Sequence, residues 1–128
     1  MQILKPKTIY ASPRYYPGLK AGNLITTAGR IAIDLDGSIV APNNAGAQTE
    51  HIMDCLSAIL AEGGATLQDV VLIHTYFLYE EDMKEIFEVI HREMGAHRPP
   101  HTGIHQDSSS WEEKGIRLEI EVTAVVED

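Results

Sequence analysis

The C-terminal segment carries the pattern that most limits what this chain can fold into. Apolar residues occupy every second position from Ile116 to Val126, and other residues fill the positions between them. Successive side chains of a strand point to opposite faces, so this alternation predicts a β-strand with one buried face. The opposite face carries two carboxylates, Glu119 and Glu121. The fold must therefore contain a sheet that is covered on at least one side.

Two segments predict helices that can supply this cover. Residues 47–62 and residues 80–94, the second of which opens with the acidic trio 80–82, each place their apolar side chains on one stripe at helical spacing. The first stripe consists of Ile52, Leu56, Ile59 and Leu60, and the second of Met83, Ile86, Phe87, Ile90 and Met94. Glycines follow both segments and end them. Each helix thus has a single face to bury.

The remaining apolar segments predict strands, in the overall order β-β-β-α-β-α-β-β. Predicted strands cover parts of residues 1–10, the segment 24–40 with a hairpin at Asp36-Gly37, residues 70–78 and residues 102–106. The serine-rich segment 108–115 predicts a loop. We expect an α+β fold, in which a mixed sheet carries both helices on one face. The other face would stay bare, which favours an oligomer.

Length and charge restrict the class of protein. The 128 residues suffice for one domain, spanning 1–128. Nineteen acidic and ten basic residues give a net charge of −9, which disfavours nucleic acid and anionic membranes as partners. No apolar stretch reaches the ~18 residues that a membrane span needs. The single cysteine and an N-terminus unlike a signal peptide predict a cytoplasmic protein.

Histidines and the cysteine are the first candidates for chemistry. His97, His101 and His105 are spaced by four, but Pro99 and Pro100 favour extended chain there, where residues four apart lie ~13 Å from each other. They are too far apart to share one ion, and we predict no metal site. Cys55 lies beside the apolar stripe of the first helix, which is typical of a packed thiol rather than a nucleophile.

Other polar and aromatic residues each allow two interpretations. Glu119 is either part of a solvated strand face or a general base that acts on water. The pair Tyr15-Tyr16 either closes over a pocket or packs on the surface. Trp111 lines either a ligand site or a subunit contact, and the contact is the simpler interpretation.

An ordered set of motifs resembles a known family. It runs from about residue 8 to residue 126 and comprises GNLITTAGRIAID, ILAEGGATLQDVV, VVLIHTYFL, RPPHTGI and LEIEVTAVVED. Together these motifs resemble the Rid superfamily, the RidA or YjgF type that is also labelled as L-PSP endoribonucleases. The resemblance implies a chorismate-mutase-like fold and a homotrimer with ligand clefts between subunits. It also implies hydrolysis of reactive imines or enamines to carbonyl compounds and ammonia, with no cofactor.

The resemblance also implies site residues, some of which differ in this chain. Family members use a C-terminal Glu to position water, a Tyr from an early loop and a strand Gly, and these positions match Glu119, Tyr15 and Gly29. Where the family has Ser and then Gln around that Gly, this chain has Ala28 and Arg30.

The largest departures concern the second helix and the Pro-rich motif. The family's Asn falls on Phe87, and the Arg that clamps the substrate carboxylate falls on His101, two residues before Gly103. Arg is always charged and can form two parallel hydrogen bonds to a carboxylate, whereas His carries charge only when protonated. Losing such bonds would weaken binding of an imino acid by roughly one to two orders of magnitude.

Two functions remain open from the sequence. In the first, the protein is an imine or enamine deaminase in which Glu119 activates water and His101, Arg30 or Arg14 holds the polar end of the substrate. Phe87 and Gly103 then contribute to the substrate site. In the second, the same cleft binds a small metabolite without turnover. A ribonuclease activity, which the older family label suggests, is disfavoured by the net charge and by the absence of a basic stripe in the sequence.

Overall fold

The computed structural model describes residues 1–127, which fold around one six-stranded sheet. The strands are β1 (Gln2–Leu4), β2 (Gly18–Ala21), β3 (Leu24–Thr27), β4 (Val70–Phe77), β5 (His101–His105) and β6 (Leu118–Val125). The helices are α1 (Ala45–Glu62), α2 (Met83–Met94) and α3 (Ser109–Lys114), with 3-10 turns at Leu67–Asp69 and Glu80–Asp82. Strand order across the sheet is β1-β2-β3-β6-β4-β5. All neighbours are antiparallel except β4 and β5, so the mixed α+β sheet is confirmed.

Strand β6 lies between β3 and β4, and its alternation is as predicted. Its even-numbered residues are buried in the core shared with α1, and its odd-numbered residues are only half-buried on the other face. The buried row is Leu118, Ile120, Val122 and Ala124. Helix α1 begins two residues earlier than predicted, where the Asn44 side chain accepts a hydrogen bond from the Ala47 N–H. Helix α2 begins at Met83, later than predicted, because the acidic trio forms a 3-10 turn before it. The face of β6 opposite α1 is the one that presents Glu119.

The N-terminal strands differ from the prediction. Strand β1 is only three residues long, and β2 pairs with β3 through a tight turn that includes Gly22 in the left-handed region. The segment 31–40 does turn at Gly37, but it forms an isolated bridge between Ile33 and Ile39 rather than a strand pair. Its arms exchange two backbone hydrogen bonds, which is too few to build a ladder.

The predicted order with two helices was incomplete, because the serine-rich segment forms α3 rather than a loop. The Ser108 side chain accepts a hydrogen bond from the Trp111 N–H at 3.1 Å, and Gly115 ends the helix with φ of 75°. These are a standard N-cap and a left-handed C-cap, and they suffice for six residues. The sequence signal was a serine before an acidic pair and a glycine after Lys114.

The sheet face opposite α1 and α2 presents apolar side chains to the outside of the protomer. Leu24 is 41% exposed and Val71 is 45% exposed, and Tyr76 and Ile104 on the same face are half-buried. We call this surface the open sheet face. Among the helices of residues 1–127, none combines the length and apolar character needed to cross a membrane.

Candidate functional site

Glu119 lies on the open sheet face, at the centre of the sheet. It follows buried Leu118 on β6 and is paired in register with Tyr76 on β4. Its carboxyl group rests against the backbone of Gly29, where an added Cβ would lie 2.6 Å from the Glu119 Cδ. A side chain at residue 29 would therefore displace the carboxylate. The structure thus brings together the predicted general base and the predicted strand glycine.

The surroundings of Glu119 favour the protonated form of its carboxyl group. Burial raises the pKa of Glu119 above its ordinary value, and the negative charge of nearby Glu121 raises it further. Within residues 1–127 the Glu119 carboxylate accepts no hydrogen bond that would oppose this effect. A carboxylate with a raised pKa is a stronger base, which suits the transfer of a proton from water.

Glu121 differs from Glu119 because its carboxylate is held by neighbours. It accepts a hydrogen bond from the Tyr76 hydroxyl at 2.8 Å, and the His74 Nδ1 lies 3.0 Å from the same oxygen. This hydrogen bond raises the pKa of Tyr76, because the phenol would lose it on ionisation. Of the two carboxylates on β6, Glu119 is therefore the one free to act on a ligand.

A pocket next to Gly29 collects the other residues predicted near Glu119. It lies between the loop 10–17 and the segment 28–33, has a cavity volume of about 70 Å³ and opens to solvent. Tyr15, Gly29 and Arg30 all line it, and Tyr15 is 57% exposed at its edge. Gly29 is both a wall of this pocket and the contact of the Glu119 carboxylate. We call Glu119 and these three residues the acid half-site.

Arg30 leaves the backbone on the face opposite to Glu119. It forms an antiparallel bridge with Ile120, whose side chain lies fully in the core, and partners in such a bridge point to the same face. Only 7% of Arg30 is exposed. Arg30 thus lines the pocket from the helix side, and Glu119 borders Gly29 from the open sheet face.

His101, Phe87 and Gly103 form a second group. His101 is in register with buried Ile73, and its Nε2 lies 2.8 Å from the Thr75 Oγ1. The centroid of its ring lies 4.6 Å from the ring centroid of Phe87 on α2. Gly103 follows two residues later on the same strand, where a Cβ would have room for ordinary contacts. We call this group the histidine half-site.

The environment of His101 makes a charged clamp untenable at this position. Burial, with smaller contributions from His91 and His74, lowers the pKa of His101 to about 4. The imidazole is therefore neutral near pH 7 and forms a hydrogen bond with Thr75. It cannot provide the positive charge that an arginine would bring.

The two half-sites lie on opposite faces of the sheet within one protomer. The strand register aligns Glu119 with Tyr76 and Tyr76 with Ile104, across the open sheet face. His101 begins the same edge strand three residues earlier and faces α2. A small ligand therefore cannot touch both Glu119 and His101 within one protomer.

The other residues considered for chemistry have structural roles. Cys55 is buried, and burial raises the pKa of its thiol, as expected for a packed cysteine. His97 and His105 form hydrogen bonds with the backbone oxygens of Val70 and Leu78. Within residues 1–127, no cluster of His, Cys, Asp or Glu side chains has the arrangement of a metal site.

Two hydroxyl-bearing pocket residues were missed by the sequence reasoning. Tyr10 and Ser12 line the same pocket as Tyr15 and Arg30, from the loop between β1 and β2. The available signal was a segment rich in proline and aromatic residues between two short strands, since loops held by a rigid scaffold often carry binding residues.

Comparison with known proteins identifies the family. The profile of the family described as "Endoribonuclease L-PSP" matches residues 5–126. The chain belongs to this family. The predicted membership in the Rid superfamily, of which this is the older label, is confirmed.

Two named proteins that are similar to this chain in sequence are of the RutC type. A RutC family protein of Pyrococcus abyssi is 30% identical over 113 residues, which cover 88% of this chain and 87% of the relative. The 3-aminoacrylate deaminase RutC of Acinetobacter baylyi is 29% identical over 85 residues, covering 66% and 68% of the two chains. Among solved structures, a putative endoribonuclease of Thermotoga maritima superimposes with a TM-score of 0.89. It is 27% identical, and the match covers 100% of this chain and 99% of that one.

Proposed function

We propose that this L-PSP family protein hydrolyses an imine or enamine of a small metabolite to a carbonyl compound and ammonia. The observation that carries the proposal is the half-buried Glu119 carboxylate, which has a raised pKa and rests against Gly29 at a small pocket. The RutC relative named as a 3-aminoacrylate deaminase supports the substrate class, because aminoacrylate is an enamine. The substrate of this chain is a small unsaturated amine that carries a carboxylate.

In the proposed reaction, Glu119 acts as a general base on water. Its carboxylate accepts a proton while the water oxygen adds to the carbon of the C=N bond, and the nitrogen gains a proton. The resulting amino alcohol then loses ammonia as its hydroxyl becomes the carbonyl, so one water is consumed for each ammonia released. An imine is already electrophilic, and the reaction needs no cofactor. An enamine first gains a proton at carbon to give the imine.

We further propose that the complete site forms between subunits of a homotrimer. Two observations support this arrangement: the exposed apolar side chains of Leu24 and Val71 on the open sheet face, and the position of the two half-sites on opposite faces of the sheet. In a closed ring, the acid half-site of one protomer would meet the histidine half-site of its neighbour. Size-exclusion chromatography with light scattering should report three chains per particle, and a stable monomer would contradict the intersubunit site.

A second candidate is a protein that binds a metabolite without turnover. The neutral state of His101 favours it, because the position of the clamp residue then lacks a charge. The two candidates predict different results with 2-iminobutanoate that is generated in situ. A deaminase accelerates ammonia release above the rate in buffer, whereas a binding protein leaves that rate unchanged and still binds the product 2-oxobutanoate in calorimetry.

The pH profile of turnover should report the ionisation of Glu119. Because only its carboxylate accepts a proton, the rate should fall as the pH drops through the raised pKa of Glu119. Replacing Glu121 by Gln removes a charge that raises this pKa. In Glu121→Gln the acid limb should therefore move to lower pH. Glu112→Gln, an exposed change of the same charge on α3, should leave the profile unchanged. Identical limbs in all three proteins would contradict the assignment.

A methyl group at residue 29 should disturb catalysis more than folding. In Gly29→Ala the new Cβ overlaps the Glu119 carboxyl, and the end of that side chain is flexible enough to rotate away. We expect turnover to fall at least about tenfold, since a misplaced catalytic group loses its orientation. The midpoint of thermal unfolding should change little. A fully active Gly29→Ala protein would argue against the observed position of Glu119.

A further inference from the structure

The imidazole of His101 is held in place by two neighbours. Its Nε2 lies 2.8 Å from the Oγ1 of Thr75 on the adjacent strand β4. The ring of Phe87 on α2 packs against it at a centroid distance of 4.6 Å and an interplanar angle of 51°. Thr75 is only 2% exposed, whereas His101 is half-buried. The imidazole therefore turns its Nε2 atom toward the buried hydroxyl of Thr75.

The direction of this hydrogen bond follows from the needs of the hydroxyl group. Burial withholds water from the Thr75 hydroxyl, which has no other hydrogen-bond partner within residues 1–127. If the imidazole donated from Nε2, the Thr75 O–H would be left without an acceptor, which is costly for a buried group. If the hydroxyl donates to Nε2, both groups are satisfied. Thr75 is therefore the donor, and Nε2 of His101 is the acceptor.

The proton of the neutral imidazole must then be on Nδ1. Burial lowers the pKa of His101 to about 4, so the ring carries a single proton near pH 7. In a neutral imidazole one nitrogen is the donor and the other is the acceptor. The Nδ1 atom has no hydrogen-bond partner within residues 1–127, yet it is not fully buried. His101 thus presents an accessible and unused N–H donor in the histidine half-site.

We propose that Thr75 fixes the proton of His101 on Nδ1, and that this N–H donates a hydrogen bond to an oxygen of the ligand. Thr75 is a positioning residue in this arrangement, because it acts on the ligand only through His101. The inference rests on the proposed function, since the oxygen belongs to the substrate or the product of that reaction. It assigns a role to a buried threonine that makes no contact with the ligand itself.

A single neutral donor gives a different selectivity from that of an arginine. A guanidinium adds a full charge and two parallel hydrogen bonds, and both favour a carboxylate over a neutral group. An imidazole N–H bonds to one oxygen only, which can belong to a carboxylate or to an amide. We therefore expect the chain to accept imines of small amides as well as imines of small acids. In His101→Arg, the preference for the acid should increase.

The first test is nitrogen NMR of the full chain at pH 7 without ligand, with the ring nitrogens correlated to the ring protons. The two nitrogens of a neutral histidine give signals in separate ranges, according to which of them carries the proton. Comparison with His101→Gln identifies the His101 signals, and we expect the protonated nitrogen to be Nδ1. In Thr75→Val, which keeps the shape but lacks the hydroxyl, this preference should be lost, whereas Thr75→Ser should keep it. Thr49→Val removes another buried hydroxyl, on α1, and should leave these signals unchanged.

The second test is binding of 2-oxobutanoate and 2-oxobutanamide, measured by calorimetry. We expect the unaltered chain to bind the two within about tenfold of each other, and Thr75→Val to bind both about threefold to tenfold more weakly, as the loss of one hydrogen bond implies. Thr75→Ser should bind as the unaltered chain does. Addition of 2-oxobutanoate should move the Nδ1 signal of His101 more than those of His97 and His105, whose rings bond to backbone oxygens.

The outcomes separate this inference from the proposed reaction. A proton on Nε2 of His101 would overturn it, and so would equal binding by Thr75→Val and the unaltered chain, or no binding of 2-oxobutanoate at all. Should Thr75→Val fail to fold, the signals of the unaltered chain still locate the proton. Neither measurement needs turnover. Expected signals and binding without ammonia release from 2-iminobutanoate would contradict the deaminase and leave the role of Thr75 and His101 intact.

Discussion

Replacing Glu119 by Gln is expected to reduce imine hydrolysis by about 10²- to 10⁴-fold, the usual contribution of a general base. Gln has nearly the same size and shape, so its contact with Gly29 is retained while the group that accepts a proton is lost. The midpoint of thermal unfolding should not fall, because the change removes a charge whose ionisation is disfavoured by burial and by Glu121. The measurement is ammonia release from 2-iminobutanoate at matched protein concentration, with light scattering to verify the assembly.

Two controls define what this result means. Glu121→Gln lies two residues along the same face of β6 and changes the charge equally, yet its carboxylate is held by Tyr76 and His74. We expect its rate at neutral pH to stay within about tenfold of the unaltered chain. Equal losses in both variants would indicate a general effect of charge on the open sheet face. Unchanged turnover in Glu119→Gln would remove Glu119 from the mechanism.

Two inactive variants are expected to restore activity when they are assembled together. Glu119→Gln disables the acid half-site, and His101→Asp disables the histidine half-site by placing a carboxylate opposite an anionic substrate. If each site takes one half-site from each of two neighbours, random mixing leaves half of the acid half-sites and half of the histidine half-sites intact. About a quarter of the sites are then complete in a closed ring of three, and about a third once selection on both tags has removed the unmixed rings. Neither variant alone has any complete site.

The experiment needs co-expression of the two variants with different tags, followed by purification on both tags. His105→Asp is the control for the second substitution, since it lies on the same strand and face but is exposed and bonds to the Leu78 oxygen. It should stay active on its own. A mixed assembly that remains as inactive as its components would show that each site is built within one protomer, and the intersubunit proposal would then be wrong.

Residue 101 distinguishes this chain from the pattern that its family resemblance implies. His101 is neutral at physiological pH because burial, with smaller contributions from His91 and His74, lowers its pKa to about 4. A carboxylate ligand would therefore meet no positive charge at this position, where the family pattern has an arginine.

Local patterns in the sequence were enough for most of the sheet and for both long helices. The alternation along β6 and the apolar stripes of α1 and α2 are patterns within short stretches of sequence. They can be recognised without knowing which residues are in contact in the folded protein. The same alternation correctly placed Glu119 on the face away from the core. Short elements were less predictable: β2 and α3 depend on turn and cap geometry that involves only a few residues.

The sequence by itself determined the family, the α+β architecture and the strand face that carries Glu119. The order of the motifs and the periodicity of apolar residues are properties of the linear sequence, so they need no information about tertiary contacts. Only the tertiary structure decided what the polar residues of the site can do. Strand register turned Arg30 toward the core and His101 toward α2, and burial there removed the charge of the histidine. Register and burial depend on residues far away in sequence, which is why spacing alone could not predict that His101 is neutral near pH 7.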